Sequence, residues 1–271
     1  MLLKRIATAA VGIPIVILLI LYGGIPFLAL VLGLTFFGLL EFYDLMVHKG
    51  IKVPKYFFIG SGLVFIILSA LHNQNALVFS FFLLYILLST ILVQLFRNET
   101  ENSLLNAGVS FLGIMYVSWL NVHFIYLREL ENGFFYVLLV FLVIWVNDSA
   151  AYFIGIKLGK KKLCPKVSPH KTWAGALGGF VFSVLTTVLV GRAMNSFLTH
   201  HFTVMQLLFL GGLISLAGQL GDLAESLFKR DAGIKDSGSL IPGHGGILDR
   251  FDSLLFAVPL VYFYLQLVVL T

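Results

Sequence analysis

Long apolar runs dominate the sequence and restrict it to one class of fold. A helix that crosses a bilayer needs roughly 20 apolar residues, and about nine runs approach that length. They cover residues 5–22, 26–46, 56–72, 75–96, 104–122, 133–156, 173–192, 205–226 and 249–270. Strands of an outer-membrane barrel are about ten residues long and alternate in polarity, so the runs exclude that fold. We therefore predict an all-α integral membrane protein, a polytopic bundle of about nine transmembrane helices.

The composition agrees with this class and leaves no room for a separate soluble domain. Of the 271 residues, 59% are hydrophobic and only 11% are charged. The first run follows Lys4 and Arg5 and resembles a signal peptide, but residues 22–26 contain no small-x-small cleavage pattern, which predicts a retained first helix. The membrane helices and their connections must therefore carry the function.

The basic residues indicate an orientation and argue against a nucleic-acid partner. The net charge is +5, but Lys and Arg are confined to connections between runs and form no basic stripe. With a cytosolic amino terminus, only Arg128 and Arg192 of the 18 Lys and Arg residues fall outside the cytosol. We therefore predict a cytosolic amino terminus.

Cys164 is the single cysteine of the sequence, which excludes an internal disulfide.

Ionisable residues are unevenly distributed between the two halves of the chain. Residues 1–130 are poor in them and are predicted to form a transmembrane scaffold with a possible dimerisation surface, whereas residues 131–271 form the catalytic region. Glu41, in the second run, is either a buried helper or a residue whose carboxylate reaches the membrane interface. The interface position is favoured, because long side chains commonly extend to it.

Polar groups interrupt the sixth run and the connection that follows it. Asn147, Asp148 and Ser149 lie within the sixth run, where an acid is usually functional. In the basic connection, Ser168 and the following proline are predicted to begin the seventh helix, whose free N–H groups and Lys171 would attract phosphate. The glycines at the start of that helix favour close packing over ligand binding; they are Gly175, Gly178 and Gly179.

The longest polar stretch lies between the last two runs and spans residues 226–252, with the sequence SLFKRDAGIKDSGSLIPGHGGILDRFD. Just before and within it, a helical spacing places four polar side chains on one face: Asp222, Glu225, Ser226 and Lys229. The Glu225–Lys229 spacing fits either a simple ion pair or a catalytic support. The glycines beside His244 permit close backbone approach to an anion.

Several carboxylates without partner cysteines favour a hard cation such as Mg²⁺ over zinc. The acids in question are Asp148, Asp222, Asp249 and Asp252. Lysines and arginines surround them in sequence, and a hard metal accompanied by cations suits a polyphosphate ligand. No GxxxxGK, GxGxxG or GxSxG pattern is present, which disfavours the common soluble nucleotide folds and serine hydrolases.

The polar stretch resembles the signature of the phosphatidate cytidylyltransferases, also called CDP-diacylglycerol synthases. The matching residues within it are Ser226, Lys229, Arg230, Lys235, Asp236, Gly238, Pro242, His244, Gly245, Gly246, Asp249, Arg250 and Asp252. Matching upstream segments occur in the same order, at residues 147–152, 168–173 and 221–222. Ala174 departs from the family, whose members often carry an acid or amide after the tryptophan.

The resemblance implies that phosphatidate attacks CTP to give CDP-diacylglycerol and pyrophosphate. It implies catalytic roles for Asp222, Asp249, Lys229, Lys235, His244 and Arg250. It implies substrate binding by Asn147, Ser168, Lys171, Thr172, Arg230, Asp236, Gly245 and Gly246. The implied Mg²⁺ ligands are Asp148, Asp222, Asp249 and Asp252, with a second metal or a monovalent cation left open.

The resemblance also implies a homodimer in the bacterial cytoplasmic membrane, with its active site facing the cytosol. Two alternatives remain. One is a related enzyme that activates another lipid phosphate or phosphorylates a polyprenol with CTP. The other is an ion-coupled transporter, which the absence of an internal repeat and the position of the polar groups at helix ends disfavour.

Overall fold

The computed structural model describes residues 2–72, 75–98, 100–238 and 245–270, with side chains from residue 10 onward. The helices are α1 (Leu2–Tyr22), α2 (Gly24–His48), α3 (Lys55–Leu71), α4 (Ala76–Arg97), α5 (Ser103–Ile114), α6 (Leu120–Glu129), α7 (Gly133–Leu158), α8 (Trp173–Met194), α9 (Val204–Asp231) and α10 (Leu248–Tyr264). Two short π-helical segments, Met115–Trp119 and Leu265–Val269, continue α5 into α6 and extend α10.

Most of these helices are long and apolar enough to cross a membrane. Within the described residues, seven segments meet that standard: Gly24–His48, Ala76–Arg97, Ser103–Glu129, Gly133–Leu158, Trp173–Met194, Val204–Asp231 and Leu248–Val269. Ala10–Tyr22 and Lys55–Leu71 are apolar but shorter. The prediction of an all-α polytopic membrane protein is confirmed, while the total of nine crossings and the cytosolic amino terminus stay predictions.

Two segments differ from the sequence-based expectation. The fifth run was expected to end near residue 122, but its helix continues to Glu129. The basic connection contains an antiparallel hairpin, in which β1 (Lys162–Cys164) pairs with β2 (Ser168–Thr172). The predicted start of α8 at Ser168 is therefore wrong. Thr172 is the N-cap instead, and its hydroxyl accepts a hydrogen bond from the backbone N–H of Gly175 at 3.1 Å.

The chain folds as two compact units. The first unit comprises Met1–Tyr126 and Phe228–Arg250, and the second comprises Leu127–Leu227 and Phe251–Thr271. In the first unit, Phe228 makes edge contacts with the rings of Phe42 and Tyr116, at centroid distances of 6.1 and 5.3 Å. Most of the polar stretch thus folds with helices of the apolar first half. The functional division expected near residue 130 stays a prediction.

In the second unit, α7 and α8 pack closely because α8 presents glycines to its neighbour. A Cβ on Gly175 would lie 2.6 Å from the carbonyl oxygen of Ala151 and 3.2 Å from the Cα of Gly155. A Cβ on Gly179 would lie 2.8 Å from Oδ1 of Asn147. The prediction that the glycines of α8 allow close helix packing is confirmed.

Gly175→Ala should lower the thermal midpoint of the purified protein. The new methyl group meets a backbone oxygen that cannot rotate away, and such overpacking costs about 1–3 kcal/mol. The matched control is Gly33→Ala in α2, where a Cβ would meet no atom within 4 Å. Differential scanning fluorimetry in detergent should show a lower midpoint for the first variant and an equal or higher midpoint for the second. Equal midpoints in both would contradict close packing at Gly175.

Candidate active site

In the first unit, Asp249 and Lys229 form a nearly buried ion pair. Lys229 Nζ lies 2.5 Å from Asp249 Oδ1, and the two side chains are 11% and 8% exposed. The second carboxylate oxygen of Asp249 accepts hydrogen bonds from the backbone N–H groups of Ser237 (3.1 Å) and Gly246 (2.8 Å). Charges buried to this degree are tolerated only when paired and hydrogen-bonded, and this aspartate meets both conditions.

Glu41 of α2 reaches the same part of the first unit. It is 2% exposed, and its carboxylate accepts hydrogen bonds from Ser237 Oγ (2.8 Å) and from the backbone N–H groups of Ile247 (2.7 Å) and Leu248 (2.8 Å). The favoured position of Glu41, with its carboxylate reaching the membrane interface, is therefore wrong. Its burial is confirmed, while a role as a helper of the site stays a prediction. We call Glu41, Lys229, Ser237, Gly246 and Asp249 the loop cluster.

The glycines of the polar stretch lie against carboxylates of the chain itself. A Cβ on Gly246 would overlap Ser237 Oγ and the Glu41 carboxylate, and a Cβ on Gly238 would lie 2.7 Å from Glu41 Oε1. Gly245 has a φ of +82°, which side chains rarely adopt, and a Cβ there would lie 2.7 Å from Asp249 Oδ2. These glycines thus lie close to the carboxylates of Glu41 and Asp249, and an approach to a bound anion stays a prediction. The substrate contacts of Gly245 and Gly246 stay predictions.

The remaining predicted residues of the polar stretch are exposed or lie outside the described part of the chain. Lys235, Asp236 and Arg250 are exposed, and so is Arg230, whose guanidinium donates to the carbonyl oxygen of Ile234 at 3.1 Å. Their roles toward substrate stay predictions. His244 is not among the described residues.

The second unit brings four acidic residues together. Asp252 lies close enough to Asp222, Glu225 and Asp148 to interact electrostatically with each of them. Gly221 makes this approach possible, because a Cβ there would overlap the backbone oxygen of Asp252. We call Asp148, Asp222, Glu225 and Asp252 the acid cluster.

Lys171 contacts the acid cluster directly. Its Nζ lies 2.5 Å from Asp222 Oδ2, and the two side chains are 28% and 34% exposed. The other oxygen of Asp222 accepts from Ser226 Oγ at 3.4 Å. Lys171 is the penultimate residue of β2, and the next residue, Thr172, pairs with Lys162 and caps α8. The hairpin and the cap thus fix the backbone from which Lys171 extends.

Asn147 organises a buried polar network beside the acid cluster. It is 1% exposed, and its Oδ1 accepts from Ser183 (3.3 Å), Ser215 (2.7 Å) and Gln219 (3.2 Å). Its amide nitrogen donates to Asp148 Oδ1 at 3.1 Å, so the network orients an acid. Sequence reasoning missed these three donors, although isolated polar residues in apolar runs were a visible signal. Substrate binding by Asn147 stays a prediction.

The donor atoms of the acid cluster suit a hard cation. Carboxylate oxygens are the ligands that Mg²⁺ prefers, and a divalent ion would offset the mutual repulsion of the acids. Among the described residues, however, no group of three or more His, Cys, Asp or Glu side chains is already arranged as a metal site. The chemistry of the donors therefore fits Mg²⁺, and the ligand set of Asp148, Asp222, Asp249 and Asp252 stays a prediction.

Fold and site together define a polytopic helical membrane protein in which carboxylates and lysines cluster on apolar helices. Comparison with known proteins gives the family. Residues 3–268 match the model described as the cytidylyltransferase family, and the chain belongs to that family. The family recognised from the polar stretch is thereby confirmed.

Curated relatives from several bacteria are similar to almost the whole chain. A phosphatidate cytidylyltransferase of Bacillus subtilis is 34% identical over 274 residues, with 97% of each chain covered. Relatives of the same name from Staphylococcus haemolyticus and Staphylococcus epidermidis are 35% and 34% identical, each covering 95% of this chain and 96% of their own. The similarity therefore includes both the apolar first half and the polar stretch.

Asp252→Asn should stabilise the metal-free protein and weaken its response to Mg²⁺. An amide removes one like charge from the acid cluster, a gain on the order of 1 kcal/mol, while its oxygen can still accept from the N–H of Ser253. Thermal midpoints at pH 8 should rise in chelator and shift less on titration with Mg²⁺. The exposed acid Asp44 supplies the control, and Asp44→Asn should change neither value. A full Mg²⁺ shift in Asp252→Asn would exclude Asp252 as a ligand.

Proposed function

We propose that this protein condenses CTP with phosphatidate to give CDP-diacylglycerol and pyrophosphate. The observation that carries the proposal is similarity to phosphatidate cytidylyltransferases over nearly the full length of the chain. The clustered carboxylates and lysines agree with it, because both substrates are phosphates and the lipid substrate enters from a bilayer.

The reaction needs alignment and charge neutralisation more than acid–base chemistry. A phosphate oxygen of phosphatidate forms a bond to the α-phosphorus of CTP, and the bond from that phosphorus to the bridging oxygen breaks to release pyrophosphate. The attacking phosphate monoester is already anionic, so no general base is required. The two phosphates repel one another, and the protein must therefore hold cations where they meet.

Four cations are proposed to neutralise these phosphates. In the second unit, Lys171 is held by β2 beside Asp222 and is partly exposed, so it can neutralise a phosphate oxygen. In the first unit, Lys229 is fixed against Asp249, while Lys235 and Arg250 are exposed. We assign phosphate neutralisation to these four cations. We assign to His244 the donation of a hydrogen bond or a proton to an anionic oxygen of the substrates.

We propose Asp222, Asp252 and Asp148 of the acid cluster as ligands of Mg²⁺. The bound ion would polarise phosphate oxygens and stabilise charge on the leaving pyrophosphate. Asn147 supports this assignment, because its amide nitrogen donates to Asp148 and holds that carboxylate in place. Asp249 stays a proposed Mg²⁺ ligand on the family resemblance. Within the first unit, two backbone N–H groups and Lys229 hold its carboxylate in place.

The proposal includes a cytosolic active site and a homodimer in the bacterial cytoplasmic membrane. The charge distribution supports the orientation, because only Arg128 and Arg192 would lie outside the cytosol. The homodimer rests on the family resemblance.

Purified protein in nanodiscs should release pyrophosphate when CTP, phosphatidate and Mg²⁺ are all present. Lys171→Met should lower kcat/KM for CTP at least about tenfold, because a charge-assisted contact to phosphate is lost. Lys166→Met, an exposed lysine of the same hairpin, should retain wild-type activity. Asp249→Asn should abolish turnover in a folded protein.

The acceptor lipid is tested in the same assay. Phosphatidate should be used, whereas another lipid phosphate or a polyprenol should not. A preference for polyprenol with release of CDP would identify the related kinase activity and overturn the proposal. Undiminished turnover by Asp249→Asn would remove Asp249 from the reaction.

Cys164, the single cysteine, provides a native probe of orientation. It lies in β1 and is partly exposed. A membrane-impermeant maleimide should label it in inside-out vesicles but not in intact spheroplasts. His200→Cys in a Cys164→Ser background should show the opposite pattern. Labelling of Cys164 in intact spheroplasts would overturn the cytosolic orientation.

A further inference from the structure

We infer that Glu41, a residue of the apolar first half, positions the polar stretch for the reaction. The effect on turnover rests on the proposed function, whereas the anchoring itself does not. Glu41 lies in α2, about 200 residues before its partners in sequence, as the separations of 196 and 207 residues show. It is outside the polar stretch and outside the short motif segments from which the family resemblance was recognised.

The carboxylate of Glu41 holds the start of α10. The first N–H groups of a helix have no partner within the helix, and the N-terminal end carries a partial positive charge. Glu41 accepts from the N–H groups of Ile247 and Leu248, at 2.7 and 2.8 Å. A distant helix therefore supplies the acceptor that a local capping residue would normally provide.

Ser237 connects Glu41 to the buried ion pair. Its Oγ donates to Glu41 Oε2 at 2.8 Å, while its backbone N–H donates to Asp249 Oδ2 at 3.1 Å. Asp249 in turn binds Lys229. Glu41 thus acts through Ser237 and Leu248 on both sides of Asp249, which makes it a positioning residue rather than a catalytic one.

The surrounding backbone is shaped to admit this carboxylate. Added Cβ atoms on Gly238 and Gly246 would each meet the Glu41 side chain. The two glycines therefore let the chain pass close to the carboxylate from two sides. Only a group with two acceptor oxygens can receive the three hydrogen bonds at these positions, so a glutamine cannot replace it.

The decisive experiment compares Glu41→Gln with Asp44→Asn. Both changes replace an acid of α2 by its amide, but Asp44 is exposed. Glu41→Gln should raise amide hydrogen exchange in a peptide covering residues 245–250 and lower kcat about tenfold or more, as expected when a buried donor loses its acceptor. KM for CTP should change much less than kcat. Asp44→Asn should match wild type in each measurement.

Ser237→Ala provides a milder variant in which the Glu41 carboxylate remains. It should lower kcat by a smaller factor, and the double variant Glu41→Gln/Ser237→Ala should be no slower than Glu41→Gln alone, because the two residues share one interaction. All rates are to be measured at temperatures well below the thermal midpoint of each variant, so that unfolding does not contribute.

The outcomes separate this inference from the proposed function. Unchanged exchange in Glu41→Gln would overturn the anchoring, and faster exchange with unchanged kcat would overturn the positioning role. Strictly multiplicative losses in the double variant would also contradict it. Wild-type protein that releases no pyrophosphate would instead overturn the proposed function, while the exchange comparison would still decide whether Glu41 anchors the start of α10.

Discussion

A carboxylate buried among apolar helices must be met by donors or cations, and the described parts of both units are built around this requirement. In the first unit, Glu41 is met by two backbone N–H groups and a hydroxyl. Asp249 is met by a lysine and two further N–H groups. In the second unit, Asp222 is met by Lys171. Without such partners the desolvation cost would exceed anything that apolar packing recovers locally.

Backbone donors distinguish the first unit from the second. Around Glu41 and Asp249 most donors are peptide N–H groups, which have fixed directions and cannot leave without moving the chain. In the acid cluster of the second unit, side chains supply donors instead: Lys171 and Ser226 contact Asp222, and the amide of Asn147 donates to Asp148. The fixed directions of these N–H groups are suited to holding a loop in one conformation, whereas the Lys171 side chain can exchange its carboxylate partner for a phosphate.

The sequence predicted the features that depend on interactions between neighbouring residues, such as the lengths of the helices. Bilayer thickness sets the length of an apolar helix, so the predicted runs lie close to the observed helices. Close packing at Gly175 follows from the small side chain alone. The start of α8 was mistaken because Ser168 followed by proline fits a helix cap, whereas strand pairing across the hairpin places the cap at Thr172.

Long-range partnerships could not be predicted in the same way. The interface position was favoured for Glu41 because long side chains commonly extend to it. Its partners lie in a segment about 200 residues away. The association of Phe228 with the aromatic rings of Phe42 and Tyr116 is equally invisible in the local pattern. The family resemblance named the residues of the polar stretch but gave no reason to connect them with α2.

The close fit between Gly246 and Glu41 makes these two positions interdependent during sequence change. A side chain added at Gly246 would collide with the glutamate and with Ser237, so it becomes tolerable only after both neighbours have moved or been replaced. Loss of the glutamate first would leave the start of α10 without its acceptors. Each single substitution is therefore expected to destabilise this region, and substitutions at Glu41 and Gly246 should occur together. Sequence change at Glu41, in the apolar half of the chain, therefore depends on the residue present at Gly246 in the polar stretch.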